Sequence, residues 1–574
     1  MKPISQIRQL KPVLVSCALF IAAGANAVST APAQGTNGMV ATAHRLATDI
    51  GVTVLKQGGN AIDAAVAVGY ALAVTMPNAG NLGGGGFMVV RMADGRETMI
   101  DFREAAPLAA AKNMYLDGDG KVTGDAGARS WSGVAVPGTV AGLEFARKKF
   151  GTMPHKPLVL PALKLAKEGH VLDQWDDVVA LSDLLVKFAQ SDRYVAKYFL
   201  NNGRPYKTGE LFKQPALART LQAIADQGPD AFYKGHIADE TVRASKESGG
   251  ILIKADFEKY QALEYQPVHC NYRGYQIVSA APPSSGGISL CETLNVLEGF
   301  PLGEMGYRSA ENLHYMVETF RFAFADRNLE IGDPRFVQNA TERLISKEYA
   351  TALRGQISAT RATPSTEVKG GKPAKEASNT THYSIVDRQG NAVALTYSLG
   401  LRYGTGKVAG DAGFFLNDTM IGFTAKVGAP NPFGLIQGEA NAIAPEKRSL
   451  SSMTPTVVLK DGKVFMVTGA MGGPRIITGT IQAILNVIDY GMSVKDAVDS
   501  DRIHHQWLPD TVYVEGQAMP PDARKALEKI GHRLQKDDPK TVFNAVNAVV
   551  VDPKTGVMTG AHDNREPAGA AKGF

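Results

Sequence analysis

The stretch Asn379-Thr380-Thr381-His382-Tyr383-Ser384 marks an abrupt change of texture in the chain. Before it, roughly Ile357 to Asn379, the sequence is rich in Ser, Thr, Lys and Pro, shows no apolar periodicity, and reads as an exposed loop. From Thr381 the pattern becomes strand: Tyr383-Ser384-Ile385-Val386, a polar turn from Asp387 to Asn391, then a second strand from Ala392 to Ser398. A threonine at the start of a strand, directly behind a loop that can be cut, can become a new amino terminus. Its hydroxyl is then a nucleophile, with its own freed α-amino group as the base. For an isolated threonine, a β-former opening an ordinary hairpin is the simpler reading.

The turns fix registers. Centring the first hairpin on Gln389 sets Ser398 opposite Thr380, and directly opposed residues have Cβ atoms about 4.5–5.5 Å apart. A second hydroxyl is therefore expected beside the candidate nucleophile. Downstream, Asp461-Gly462 is a strong two-residue hairpin signal. It sets Ser451 opposite Gly472 and Ser452 opposite Met471. Gly472-Gly473-Pro474-Arg475 then opens a helix, with Pro474 suited to the first helical position and Ile476, Ile477, Ile481, Ile484 and Ile488 on its apolar side. Backbone amides of a glycine pair at a helix start suit a developing oxyanion. A tight strand-to-helix turn is the structural reading of the same residues, and both can hold.

The block from Asn379 to Asp387, followed by Gly390-Asn391-Ala392-Val393-Ala394, resembles the processing site of the γ-glutamyltranspeptidase (glutathione hydrolase) family, whose members are N-terminal-nucleophile hydrolases. Asp101-Phe102-Arg103-Glu104-Ala105-Ala106-Pro107 matches a second family motif. Val136 to Gly142 and Gly151 to Pro154 match others that carry packing rather than chemistry. The resemblance extends over nearly all of the mature chain. It implies an α/β (α+β) fold, the four-layer αββα sandwich, made by two subunits that arise by self-cleavage between Asn379 and Thr380. The large subunit would be residues 28–379 and the small one 380–574, forming one composite domain as a heterodimer.

The same resemblance implies roles. Thr380 attacks an amide carbonyl, Ser398 stands where the family has the threonine that orients the nucleophile, and the Gly472 and Gly473 amides hold the oxyanion. Arg103, with Ser451 and Ser452, receives the substrate's carboxylate; a planar guanidinium fork suits that task. Without the motif, a salt bridge from Arg103 to Glu104 or another acid would be the plainer reading. The acyl-enzyme passes to water or to an acceptor amine. Pro430 to Gly434 resembles the lid over the acyl pocket, with Phe433 where a tyrosine often stands. No cofactor and no metal are implied.

Three departures bear on the substrate. Gly400, Thr419 and Gly422 fall where the family carries Asn, Gln or Glu, and Asp, the groups that receive the α-ammonium of a γ-glutamyl donor. Losing a hydrogen bond to a charged group costs about 1.5–3 kcal/mol, so preference for that ammonium should weaken by about an order of magnitude or more. A site that keeps the carboxylate clamp without demanding the ammonium fits a glutaryl group. The chain is thus expected to cleave γ-glutamyl amides, including glutathione, and glutaryl amides. A predominantly glutaryl-cephalosporin acylase is the alternative within the class. An inactive carboxylate-binding homologue is the alternative outside it, though a pure binder would not need Thr380, Ser398 and the glycine pair.

The remainder of the chain sets bounds. With 574 residues, 44% of them hydrophobic, it can bury a large core; the net charge of +5 is small for this size and no Lys/Arg run points to nucleic acid. Lys2, Arg8 and Lys11, the apolar run Val13 to Ala23, and Ala25-Asn26-Ala27 read as a signal peptide over residues 1–27, cut after Ala27, giving a periplasmic or secreted protein. Leu14-Val15-Ser16-Cys17 fits a lipobox, but the apolar run before Cys17 is too short. Of the mature cysteines, Cys270 and Cys291, two buried thiols is the favoured expectation and one bridge the alternative. His504 and His505 are adjacent, point to different faces and are expected to be structural. Gly80-Asn81-Leu82-Gly83-Gly84-Gly85-Gly86 precedes a strand rather than opening a helix, which argues for close backbone packing over phosphate binding. Ser284 and Ser285 are expected to cap a helix.

Overall fold

The computed structural model describes residues 31–123, 127–368, 380–537 and 543–574. The proposed signal peptide and Asn379 lie outside these residues. Two seven-stranded sheets dominate. The first runs in the order Ala570–Gly573, Gly38–Thr42, Thr381–Asp387, Ala392–Ser398, Gly85–Arg91, Glu97–Asp101, Leu263–Tyr265. The second runs Ala33–Gly35, Met558–Ala561, Ala545–Val551, Lys463–Met471, Thr456–Lys460, Tyr275–Ser279, Val268–Tyr272. Strands from before and after Thr380 interleave in both sheets, so a cut at that point would leave two pieces that share both sheets.

At the centre of the first sheet, Thr381 pairs with Tyr397 and His382 with Thr396, the register expected from the turn. Both strands are buried along their whole length, which is why they read as nearly continuous apolar runs. Their alternate residues divide between two cores. Tyr383, Ile385, Val393 and Leu395 pack with the helices Arg45–Lys56, Ala61–Thr75 and Thr139–Phe150. Val386, Ala392 and Ala394 join a second core shared with the other sheet and with the helices Gly286–Leu297, Ala310–Glu330 and Arg475–Ile488. The buried tyrosine hydroxyls on this sheet are satisfied: Tyr383 donates to the Ala65 carbonyl and Tyr397 to the Gly69 carbonyl, each at 2.9 Å.

The glycine run is packed as expected. A Cβ on Gly84 would meet the Ser398 carbonyl oxygen at 2.0 Å, and one on Gly83 the Phe415 carbonyl oxygen at 2.1 Å. The bare backbone there lets the loop press against the end of the Ser398 strand.

Other expectations need correction. The hairpin at Asp461-Gly462 starts in the expected register, Leu459 opposite Val464. A bulge at Phe465 then moves it by one, so that Val458 faces Met466 and Thr456 faces Thr468. Ser451 therefore does not oppose Gly472; it bridges Ser284 instead. Ser284 and Ser285 make no side-chain cap of the Gly286–Leu297 helix. Their hydroxyls donate to the carbonyls of Met453 (2.5 Å) and Ser451 (2.6 Å), tying the 451–453 segment to the helix start. Cys270 and Cys291 form a disulfide, with Cα atoms 5.7 Å apart, joining the Val268–Tyr272 strand to the Gly286–Leu297 helix. The favoured free-thiol reading fails because strand and helix share one core. Within the segment read as an exposed loop, Ser365–Val368 is a short helix. Ser365 is buried, accepts from Arg321 and offers its carbonyl to Trp507 Nε1.

Candidate active site

Thr380 precedes the central Thr381–Asp387 strand and is 3% exposed. Its Oγ1 lies 3.4 Å from Ser398 Oγ at the end of the neighbouring strand. Ser398 Oγ also accepts the Gly400 amide at 2.8 Å. Both hydroxyls open on a cleft also lined by Arg103, Arg327, Gly400, Gly422, Phe433, Ser451, Ser452 and Gly473. Of the residues singled out from sequence, the fold thus brings together Thr380, Ser398, Arg103, Ser451, Ser452 and Gly473. Gly472 is not on the cleft wall. It lies behind Gly473 with φ +126, where a Cβ would meet Asn544 at 2.7 Å.

The glycine pair is a product of the turn it makes. Gly472 and Gly473 both have positive φ, +126 and +58, which side chains rarely adopt. This turn carries the chain from the Lys463–Met471 strand into the Arg475–Ile488 helix, which starts one residue later than expected, with Pro474 at the cap position instead of the first helical one. Asn544 Nδ2 donates to the Arg475 carbonyl at 2.8 Å and fixes the turn from behind.

Arg103 follows the end of the Glu97–Asp101 strand. Its backbone is held at both ends: the amide donates to Asp101 Oδ1 at 2.8 Å, and the carbonyl accepts Tyr260 Oη at 2.9 Å. Its Nη1 contacts Glu104 Oε2 at 3.1 Å and its Nη2 donates to Ser449 Oγ at 3.1 Å. The plain salt-bridge reading and the cleft position are therefore both met. Burial pushes the Glu104 carboxyl above its usual range, with Arg103 pulling the other way.

The segment bearing Ser451 and Ser452 is anchored by side chains that the sequence reading passed over. Asn441 donates to the Gly422 carbonyl at 2.7 Å and accepts the Leu450 amide at 2.9 Å, holding both sides of the cleft together. Arg327, on the buried Ala310–Glu330 helix, donates to Ser452 Oγ at 2.7 Å. The only signal for it was a charged pair, Asp326-Arg327, directly behind the apolar stretch Phe322 to Ala325, on a helix too buried for its period to stand out.

The three departures differ in place. Gly422 lines the cleft and its missing Cβ would sit 3.7 Å from Arg103 Nη2. Gly400 also lines it, in a left-handed conformation with φ +100. Thr419 is buried and is not on the cleft wall. Phe433 lines the cleft on a loop closed by Asn431 Oδ1, which accepts the Phe433 and Leu435 amides at 3.0 and 3.1 Å.

His504 and His505 are buried and serve packing: His504 bonds Thr478 and Gln506, and His505 faces Asp510 at 3.3 Å. Among the described residues one set of possible metal ligands converges, His314, Glu318 and His532. Its groups are already engaged. The two imidazoles bond each other at 2.8 Å, while Glu318 accepts the Thr363 amide and faces Arg321. No helix among the described residues is long and apolar enough to cross a membrane.

A glutathione hydrolase proenzyme from Pseudomonas sp. (strain A14) is 49% identical to this chain over 575 residues, 99% of each. A glutathione hydrolase proenzyme from Escherichia coli (strain K12) is 45% identical, covering 95% of this chain and 93% of its own. Among solved structures, a cephalosporin acylase from Bacillus halodurans superposes with a TM-score of 0.80 at 25% identity, covering 100% of this chain and 99% of its own. The gamma-glutamyltranspeptidase family model matches residues 47–573, and the chain belongs to that family.

Proposed function

We propose that the chain is a self-processing γ-glutamyl acyltransferase and glutathione hydrolase that also accepts glutaryl amides. The observation that carries this is the meeting of Thr380 and Ser398 hydroxyls with Arg103, Ser451, Ser452 and Gly473 around one cleft. Cleavage between Asn379 and Thr380 frees the Thr380 amine. That amine takes the proton as Thr380 Oγ attacks the amide carbonyl. Ser398 orients the nucleophile, and the amide of Gly473, the member of the glycine pair that borders the cleft, receives the oxyanion. The leaving amine departs, and water or a second amine releases the acyl group. The interleaved strands support a heterodimer of residues 28–379 and 380–574. The division of core residues between two faces of the first sheet supports a four-layer αββα sandwich. The amino-terminal pattern supports export, with a signal peptide over residues 1–27.

Donor choice follows from the cleft wall. Among the described residues it carries two guanidinium groups and no carboxylate, so it offers more to an acyl group with one carboxylate than to that group's ammonium. This leaves room for glutaryl donors beside γ-glutamyl ones, the first as in the cephalosporin acylase neighbour and the second as in the glutathione hydrolase relatives. The test is a pair of initial-rate measurements on γ-glutamyl and glutaryl anilides, with Thr380→Ala as control. Denaturing electrophoresis should show two fragments, the smaller beginning at Thr380. A single full-length band with no turnover would leave an inactive carboxylate binder as the reading.

A further inference from the structure

The two guanidinium groups on the cleft wall are not equivalent. Arg103 has its own counter-charge, Glu104 at 3.1 Å, and its Nη2 is turned to Ser449. Arg327 has none. It is 1% exposed, its Nη1 donates to Asn328 Oδ1 at 2.6 Å, its Nη2 donates to Ser452 Oγ at 2.7 Å, and its Nε is without a partner. No carboxylate among the described residues reaches it as an ion pair, and the Phe324 ring lies 6.0 Å from it. Burial pulls the guanidinium down to about 9, leaving it charged at neutral pH. A buried ion without a counter-ion is costly to the fold, and a bound anion relieves that cost.

The hydrogen-bond directions point the same way. Guanidinium nitrogens only donate, so Ser452 Oγ accepts from Arg327. The serine's own proton is then left to donate elsewhere, and Ser452 lines the cleft. Arg327 thus sets Ser452 as a donor facing the acyl site and places an uncompensated positive charge behind it.

We propose that Arg327, acting directly and through Ser452, is a second counter-charge for the donor's carboxylate beside the Arg103 clamp and a determinant of preference for carboxylate-bearing acyl groups. This rests on the cleft being the acyl-donor site. The ligand class is an acyl group ending in one carboxylate, with or without an α-amine, and the matching free dicarboxylate is a product-like inhibitor.

The experiment compares glutaryl anilide with valeryl anilide, in which a methyl replaces the carboxylate, on the processed parent and on Arg327→Met and Arg327→Lys. In Arg327→Met the glutaryl KM should rise by about tenfold or more, and the glutaryl-over-valeryl ratio of kcat/KM should fall in step. Arg327→Lys, a point charge without the planar fork, should fall between. Both variants should still separate into two fragments. An unchanged ratio in either variant overturns the proposal, and should Arg327→Met not accumulate, Arg327→Lys decides. Glutarate binding followed by calorimetry reads Arg327 without turnover: weaker binding in the variants supports the role and equal binding overturns it. A parent that binds glutarate through Arg327 but turns over neither γ-glutamyl nor glutaryl anilide would defeat the catalytic reading alone.

Discussion

Thr380 Oγ1 lies 3.4 Å from Ser398 Oγ, and the serine oxygen is itself fixed by the Gly400 amide at 2.8 Å. The serine hydroxyl is therefore a held acceptor aimed at the nucleophile. Removing it in Ser398→Ala takes away an orienting hydrogen bond without touching the carboxylate clamp. Such a bond is worth about 1–3 kcal/mol in the transition state, so kcat should fall about 10–100-fold while KM stays within about threefold. Steady-state kinetics on the processed variant checks this; a kcat within twofold of the parent would remove Ser398 from the machinery. Thr380→Ala should give neither fragments nor turnover.

The Cys270–Cys291 bridge spans 21 residues and ties a strand to a helix within one core. Closing a loop of that size restricts the unfolded chain, and removing it should cost about 3 kcal/mol. Chemical denaturation of a Cys270→Ser, Cys291→Ser double variant gives the measurement. A midpoint equal to that of the oxidised parent would show that the bridge carries no stability.

How much of this was legible beforehand depended on how local the signal was. The Gln389 turn fixes the Thr380–Ser398 pairing because a short hairpin leaves no slack, and Thr381 duly faces Tyr397. The Asp461-Gly462 turn is equally tight, yet the bulge at Phe465 displaces every pair beyond it, and nothing in the apolar run Val464 to Val467 announces an extra residue. The disulfide and the grip of Ser284 and Ser285 on the 451–453 segment are contacts between distant segments, which no periodicity encodes. Arg327 escaped for the opposite reason. The Ala310–Glu330 helix is buried from Asn312 to Asn328, so polar and apolar positions alike face protein and the amphipathic signal vanishes.

Asp418 gives a pH prediction. It is wholly buried, and burial pushes its carboxyl up to about 7, with the Arg129 charge opposing. Its unfolded value is about 4. Between these values the folded chain holds a proton that the unfolded chain releases. The stability this group allows is complete below about pH 4 and is lost as pH rises through about 7. Asp418→Asn keeps an acceptor for the Leu401 amide, which Oδ1 receives at 3.1 Å, and removes the titration. The variant should gain on the parent between pH 5 and pH 8, by on the order of 2–4 kcal/mol. Denaturation midpoints at the two pH values give the answer; parallel changes in both proteins would mean that Asp418 ionises without penalty.

The two glycines that face the acyl site should not respond alike to restored side chains. A Cβ on Gly400 would stand 1.8 Å from Asp418 Oδ1, and its φ of +100 is itself unsuited to a side chain. Gly400→Asn should therefore disturb Asp418 and the Ser398 contact, lowering stability and kcat together. Gly422 has no such strain. Its added Cβ would stand 2.8 Å from Ser449 Oγ and 3.7 Å from Arg103 Nη2, so Ser449, not the backbone, has to give way. Gly422→Asp would put a carboxylate at the acyl site beside the carboxylate clamp, where the ammonium of a γ-glutamyl donor has no acid to meet in the parent. A hydrogen bond to a charged group is worth about 1.5–3 kcal/mol, so the γ-glutamyl to glutaryl ratio of kcat/KM should rise by about tenfold or more. Competing anilide rates on the processed variant measure that ratio. If it does not move while two fragments still form, the ammonium never approached position 422, and the donor preference arises elsewhere on the cleft wall.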